Sequence, residues 1–337
     1  MSDTNSRFGV EIIGSGLCLP ESRLTNHDLE ECMETTSDWI VKRTGITERR
    51  RADQANGERT SQISTKAIQN ALDDAKISAS DLDLLLVATM TPDSPTPSVG
   101  CIVADRIGAG KIGAMDINAA CSGFVFTMSI ADALIKSGAY KTIGVIGADC
   151  ITRFIDYSTA GRGAAILFGD GAGAMIFRRS ESQAQGMIAH RMHSDGEGGK
   201  HLFIPSSLLD FPENFEFDEN AINRVQMNGK AVFKFAVNKF QQVIADTLED
   251  AGISPEKVDH YVCHQANLRI LDSARERFGI PEEKLLVNIH KYGNTVAGSV
   301  PLVYAELMES GKIKPGDLVM FLAFGAGLTW GSSLWQL

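Results

Sequence analysis

Three side chains spread along the chain are of the types from which acyl-transfer chemistry is built: the thiol of Cys121, the imidazole of His264 and the carboxamide of Asn294. Cys121 lies in Asp116-Ile-Asn-Ala-Ala-Cys121-Ser-Gly-Phe-Val-Phe, where an apolar strand turns into Phe124, Val125, Phe126, Met128 and Ile130 at the spacing of a buried helix. A thiol at a helix start faces unpaired backbone N–H groups and the positive end of the helix dipole, so its thiolate is favoured and it suits a nucleophile. The alternative, for a cysteine crowded by Ala119, Ala120, Ser122 and Gly123, is one more small buried hydrophobe. His264 ends the run His260-Tyr-Val-Cys-His264 and precedes a helix start at Gln265, while Cys263 alternates to the opposite strand face and reads as core. Asn294 stands in Tyr292-Gly-Asn-Thr. Taken singly, the histidine fits a structural role and the asparagine a turn, since Gly-Asn pairs favour positive φ.

The elements that must carry these groups alternate between strand and helix, the signature of an α/β fold. Expected strands are Val10–Gly14, Leu84–Ala88, Ala114–Asn118, Ile143–Gly147, Ala164–Phe168 and Ala174–Phe177, then Met187–His190, Asp259–Cys263, Leu286–Ile289, Val319–Ala323 and Gly331–Trp335. The two halves resemble each other: Asp74-Ala-Lys-Ile-Ser-Ala-Ser-Asp-Leu-Asp83 lines up without gaps against Asp250-Ala-Gly-Ile-Ser-Pro-Glu-Lys-Val-Asp259. Asp105-Arg-Ile-Gly108 matches Glu276-Arg-Phe-Gly279, the Cys121 bend matches the Tyr292-Gly-Asn294 bend, and Ser137-Gly138 matches Ser310-Gly311, all in the same order. A duplicated α/β unit follows, dividing residues 1–185 from 186–337. Parallel strands deliver their C-terminal ends to one side, where ligands bind. Cys121, His264 and Asn294 each stand at such an end, so two facing copies bring them together.

Composition narrows the function classes. A chain of 337 residues with 44% hydrophobic and 22% charged residues is of ordinary globular make-up with room for a large core. A net charge of -10 argues against a nucleic-acid or anionic-membrane binder, so any anionic partner must meet a local basic patch. Met1–Arg7 is polar and lacks the apolar stretch of a signal peptide, and no run approaches a membrane span. Six cysteines without a CxxC pair suit reduced thiols, and a cytoplasmic location is expected. Gly14-Ser-Gly and Gly169-Asp-Gly-Ala-Gly173 lack the remaining residues of nucleotide fingerprints. His190, His193, Asp195 and His201 cluster without a standard ligand spacing, so no metal is expected. Lys230, Lys234 and Lys239 on one helix, with Arg269, Arg275 and Arg277 on another, are either solvated faces or a docking patch for an acidic partner.

Carried by these residues, the sequence resembles the β-ketoacyl-acyl-carrier-protein synthase III family, the thiolase-fold condensing enzymes that open fatty-acid synthesis. The likeness covers nearly the whole chain: Thr36-Ser-Asp-Trp39-Ile-Val-Lys-Arg43, Ala-Ala-Cys121-Ser-Gly-Phe, Arg162-Gly, Phe168-Gly-Asp-Gly-Ala-Gly, Val232-Phe-Lys234, His264-Gln-Ala-Asn267-Leu-Arg269, Gly293-Asn-Thr and Phe324-Gly-Ala-Gly-Leu-Thr-Trp-Gly. It implies a five-layered αβαβα fold, usually a homodimer, with Cys121 as nucleophile and His264 and Asn294 completing a triad. It implies that Trp39, Arg43 and Arg162 hold the nucleotide of coenzyme A, that Asn267 lies along the pantetheine arm, and that Thr35, Thr96, Gly163, Phe168 and Phe233 help to line the substrate channel. Lys230, Lys234 and the segment Gln265, Ala266, Asn267, Leu268, Arg269 would meet the carrier protein. The implied reaction joins an acyl-CoA primer to malonyl-acyl carrier protein with loss of carbon dioxide, coenzyme A being part of a substrate and no cofactor being required.

The chemistry asks for two backbone donors at the tetrahedral oxyanion, and the N–H groups of Cys121 and Ala326 are the expected pair. Two positions depart from the family pattern. Ala326 replaces a third consecutive glycine of many relatives, and Thr96 stands where some carry Phe, in a loop that in the family reaches the partner subunit's acyl pocket. The rival readings are a secondary-metabolic condensing enzyme or acyltransferase of the same superfamily, a Cys/His/Asn hydrolase, and a nucleotide-binding module. The hydrolase reading lacks a Cys-Gly-Ser-Cys-Trp context, and the last lacks a phosphate fingerprint.

Overall fold

The computed structural model describes residues 8–213, 215 and 219–337. Strand β1 (Gly9–Cys18) leads to the short pair β2 (Arg23–Thr25) and β3 (Glu48–Arg50), between which lie α1 (Asn26–Glu30) and α2 (Ser37–Thr44). Next come α3 (Thr60–Ala75), β4 (Leu84–Ala88), α4 (Val99–Arg106), β5 (Gly113–Ile117), α5 (Gly123–Lys136), β6 (Thr142–Asp149), α6 (Arg162–Ala165) and β7 (Gly171–Ser180). The second run has β8 (Gly186–Ser194), β9 (Leu202–Phe203), β10 (Gln226–Met227), α7 (Gly229–Ala251), β11 (His260–Cys263) and α8 (Leu268–Phe278). It closes with α9 (Ile289–Tyr292), α10 (Ser299–Glu309), β12 (Leu318–Gly325) and β13 (Thr329–Gln336).

Two sheets form with the same wiring. The first runs β1-β7-β6-β4-β5 and the second, from its β8 edge, β8-β13-β12-β11. In each, the first two junctions are antiparallel and the third, β6 to β4 or β12 to β11, is parallel. One apolar core lies between the sheets around α5 and α10, one packs α3 and α4 on the outside of the first sheet, and one packs α7 and α8 on the outside of the second. These are five layers, αβαβα. Strands β4, β6 and β12 are buried along their whole length because helices cover both faces, which is why they read as unbroken apolar runs.

Two expected strands are absent. Ala164–Phe168 is instead the short helix α6 and a following turn: the N–H groups of Ala164 and Ala165 reach the Gly161 carbonyl at 3.0 and 3.1 Å, and paired alanines favour the helix. Leu286–Ile289 forms no ladder because a buried side chain occupies its backbone. The Gln265 Oε1 accepts from the N–H groups of Asn288 (3.2 Å) and Ile289 (3.3 Å), and its Nε2 donates to the carbonyls of Cys263 (3.1 Å) and Leu286 (3.2 Å). An amide wedge therefore stands where β5 has its counterpart in the first sheet.

The segment after α9 lies against the first sheet with no room for side chains at two glycines. A Cβ on Gly147 of β6 would run into the Ala297 carbonyl, and one on Gly298 would come within 2.6 Å of the Gly171 carbonyl. That close approach is what brings residues of the second run beside the ends of β4, β5 and β6.

Candidate active site

Cys121 stands just beyond β5, in a single 3-10 turn (Ala120–Ser122) that leads into α5. Its predecessor Ala120 sits at φ +47°, a left-handed conformation costly for a residue with a Cβ, and Asn118 Oδ1 accepts from its N–H at 3.2 Å. Behind the turn, the Thr329 hydroxyl lies 3.1 Å from the Ala119 carbonyl and 3.0 Å from that of Ala326, tying the cysteine to the loop between β12 and β13. A Cβ on Gly325 would fall 2.8 Å from the Cys121 nitrogen, so only glycine lets the two segments meet.

The thiol differs from expectation. Burial, and after it the negative charge of Asp149, push the Cys121 thiol up, while the N–H groups of Cys121 and Ala326 face the sulfur and act in the opposite direction. Local helix geometry favours the thiolate, but removal from water outweighs it, and the resting group is a thiol. The two expected oxyanion donors do converge at the sulfur, and the Ala326 side chain finds space by lining an apolar recess.

His264 follows β11, its N–H bonded to the Leu322 carbonyl at 2.8 Å and its ring edge-on to Phe324 at 5.4 Å between centroids. It is 1% exposed and both ring nitrogens are without a protein partner. Burial lowers its pKa to about 3, so the ring is neutral at neutral pH, with one donor and one acceptor free. Asn294 reaches the site without its expected strand: its N–H donates to the Leu167 carbonyl (2.8 Å) and its carbonyl accepts from Gly169 N–H (3.0 Å), a bridge alongside Phe168. The Val296 N–H, which can only donate, fixes Asn294 Oδ1 at 2.9 Å and so leaves the Nδ2 donors free.

All three side chains line one cavity of about 740 Å³. The same cavity is lined by Trp39, Arg43, Arg162, Gly163, Phe168, Phe233, Ala266 and Asn267, with Lys230 and Arg269 also on its wall. The guanidinium groups of Arg43 and Arg162 lie 5.2 and 5.0 Å from the Trp39 ring centre, and Arg269 lies 5.2 Å from that of Phe233. Asn267 caps α8 and its Nδ2 donates to the Arg43 carbonyl at 3.1 Å. Thr35, Thr96, Lys234, Gln265 and Leu268 do not line it. Thr35 is half-buried ahead of α2, Thr96 sits in an exposed loop, Lys234 is exposed on α7, and Leu268 packs on Gly45. Gln265, 1% exposed, is the wedge described above and not a surface contact. His193 stacks on Trp330 at 5.2 Å, a packing role.

Two features escaped the sequence reading. One is Asp149, fully buried at the end of β6. The other is an apolar recess of about 30 Å³ beyond Cys121, walled by Met90, Ile151, Phe168, Leu202, Phe203, Ile204, Val225, Val296 and Ala326. Leu202–Ile204 and Val225 come from strands two residues long or their flanks, too short to leave a periodic signal.

Comparison with known proteins identifies the family and agrees with the fold. Residues 115–196 match the family model described as 3-oxoacyl-[acyl-carrier-protein] synthase III, and residues 248–337 match the model of its C-terminal part. The β-ketoacyl-[acyl-carrier-protein] synthase III 1 of Bacillus cereus is 44% identical over 325 residues, 96% of this chain and 98% of the relative. The synthase III of Caldanaerobacter subterraneus is 42% identical over 328 residues, covering 97% and 98%. Among solved structures, the synthase III of Aquifex aeolicus superposes with a TM-score of 0.89 at 40% identity, covering 98% of this chain and all of that one. The priming β-ketosynthase of the R1128 polyketide pathway gives 0.90 at 32% identity, covering 100% and 98%. With a thiolase-type fold and 42–44% identity over nearly its full length, the chain belongs to the β-ketoacyl-acyl-carrier-protein synthase III family and is a condensing acyltransferase of fatty-acid synthesis.

Proposed function

We propose that the chain joins an acyl-CoA primer to malonyl-acyl carrier protein by decarboxylative Claisen condensation, through an acyl group carried on Cys121. The supporting observation is one cavity that holds a thiol facing two backbone N–H groups, a neutral imidazole and an oriented carboxamide donor. The Cys121 sulfur attacks the primer thioester and its proton passes to the free imidazole nitrogen of His264. The tetrahedral oxyanion is held by the N–H groups of Cys121 and Ala326, and coenzyme A leaves with the proton. One thioester replaces another, so the step is near balance.

Malonyl thioester then loses carbon dioxide. The electron pair of the broken bond moves into an enolate whose oxygen accepts hydrogen bonds from the His264 N–H and Asn294 Nδ2. Neutral donors suit this step, because a fixed cation beside the malonyl carboxylate would stabilise the ground state. The enolate carbon attacks the acyl-cysteine carbonyl and expels the Cys121 thiolate, which takes one proton from water to restore the resting thiol. The reaction balances without a metal or prosthetic group; coenzyme A enters and leaves as substrate and product.

Trp39, Arg43 and Arg162 take the nucleotide of coenzyme A by stacking and charge, and Asn267 borders the pantetheine arm. Lys230, Lys234 and Arg269 form a basic rim for an acidic carrier protein on a chain of net charge -10. The halves 1–185 and 186–337 act as one unit, the first giving the nucleophile and the second the two donors. A homodimer is favoured by the open edge strand β5 with its exposed Met115, and by Ile188 and Met192, exposed on β8 beside α5. Among the described residues no helix is long and apolar enough to cross a membrane, and we place the enzyme in the cytoplasm.

Incubation with acetyl-CoA followed by intact-mass measurement tests the reading. The expected result is an acetyl adduct that is lost in Cys121→Ala, together with carbon dioxide release from malonyl carrier protein. Normal condensation by Cys121→Ala would end it.

A further inference from the structure

We propose that Asp149 is a positioning residue: its one buried carboxylate pins the turn that carries Asn294 to the loop that carries Met90, and so sets the carboxamide donor for decarboxylation. The inference rests on the function proposed above for Cys121 and Asn294. Asp149 is the last residue of β6 and is fully buried. Its Oδ1 accepts from the Thr89 hydroxyl (3.1 Å), the Met90 N–H (2.9 Å) and the Thr91 hydroxyl (2.9 Å). Its Oδ2 accepts from the Ala297 N–H at 3.0 Å. The residue before that donor, Val296, holds Asn294 Oδ1 through its own N–H and stands at φ +52°. A left-handed valine is strained and persists only where surrounding bonds dictate it. The Asp149–Ala297 bond is one of those bonds, two bonded links from the Asn294 amide.

Electrostatics argue that position, not activation, is the purpose. The Asp149 charge is among the causes that raise the thiols of Cys121 and Cys150. An anion there works against formation of the nucleophilic thiolate, so activation of Cys121 does not account for it. Burial raises the Asp149 carboxyl to about 6, leaving it ionised at neutral pH, where it can accept from four donors at once.

An amide in its place cannot do so. In Asp149→Asn the oxygen is needed toward Thr89, Met90 and Thr91, which leaves the NH₂ group facing the Ala297 N–H, donor against donor. The turn that holds Asn294 is then released, whereas the N–H groups of Cys121 and Ala326 keep their places.

Asp149→Asn should therefore keep Cys121 acetylation within about threefold of wild type while decarboxylation of malonyl carrier protein falls about tenfold or more. Alkylation of Cys121 by iodoacetamide, followed by peptide mass so that exposed Cys32 and Cys101 do not contribute, should move to lower pH because the anion is gone. Equal losses in both half-reactions, unchanged decarboxylation, or an unmoved alkylation profile would each overturn the proposal. Should Asp149→Asn fail to fold, Thr89→Val removes one donor to the carboxylate, together with the acceptor of the Thr91 N–H, and keeps the charge; it must show the same bias against decarboxylation, and its absence also overturns the proposal. Cys121→Ala serves as the control: an acetyl adduct surviving there would defeat the parent reading instead.

Discussion

Gly325→Ala isolates the contact between the nucleophile turn and the loop after β12. A methyl at this position would lie 2.8 Å from the Cys121 nitrogen and 2.9 Å from its Cβ, where ordinary contacts begin at 3.4 Å. The two segments must separate by about 0.5 Å, and both are backbone, so neither can swing aside as a flexible side chain would. The separation displaces the Cys121 N–H from the loop that carries the Ala326 N–H. Loss of one such donor costs about 10²–10³ in rate, or ~3–4 kcal/mol of transition-state stabilisation. Crowding a packed site costs about 1–3 kcal/mol of stability. Single-turnover acylation with labelled acetyl-CoA should therefore slow about a hundredfold or more, with a lowered denaturation midpoint. Gly196→Ala, where a Cβ meets nothing within 4 Å, is the matched control and should be neutral. A folded Gly325→Ala variant that acylates within threefold of wild type would refute the assignment of these N–H groups.

Replacing Asn294 by Ala should slow decarboxylation by about 10²–10³ and acylation by less, read as carbon dioxide release against acyl-adduct formation, with equal losses counting against the enolate assignment; His264→Ala, which also loses the base that takes the Cys121 proton, should slow both half-reactions. His264 has a folded pKa of about 3 against 6.5 when unfolded, so between those values the unfolded chain binds the extra proton and stability is lost as pH falls. From pH 7.5 to 5.5 this amounts to about 1.4 kcal/mol, seen as a steeper fall in urea midpoint for wild type than for His264→Gln; identical slopes would disprove the buried neutral ring. Asp149 and Asp170, both raised to about 6 by burial, act in the opposite sense and cancel in that comparison. Lys234→Glu with Arg269→Glu should raise KM for malonyl carrier protein several-fold, and more at low salt, with little change in kcat; an unchanged KM places the docking surface elsewhere.

The meeting of Cys121, His264 and Asn294 at one cavity was legible because strand ends are. Short apolar runs followed by Cys121 and His264 mark where parallel strands stop, and the in-register repeat says that two such ends face each other. Asn294 was found although its expected strand does not exist, since the Phe168 bridge delivers it to the same place. What could not be read depends on contacts between distant residues. Nothing near Leu286–Ile289 announces that the Gln265 amide will take its backbone bonds. The thiol's resting state was misjudged for the same reason: the helix start is local, whereas its burial and the Asp149 charge are set by other elements. Ala164–Phe168 resembled a strand because small apolar residues between glycines fit either conformation, and nothing local marks Asp149, whose four donors come from two loops.

The glycines that let residues 294–298 rest directly on β6 and β7 leave a joint without slack. A clearance smaller than a methyl group leaves the two lobes no room to slide, and a drift there would move Cys121 relative to Asn294, the nucleophile and a donor of the function proposed. Adaptation to new acyl groups must then be sought in the short-stranded cover formed by Leu202–Ile204 and Val225, whose residues border the recess and meet that joint through Val296. On the function proposed, alignment rests on residues 294–298 and substrate choice on the cover, with Val296 common to both.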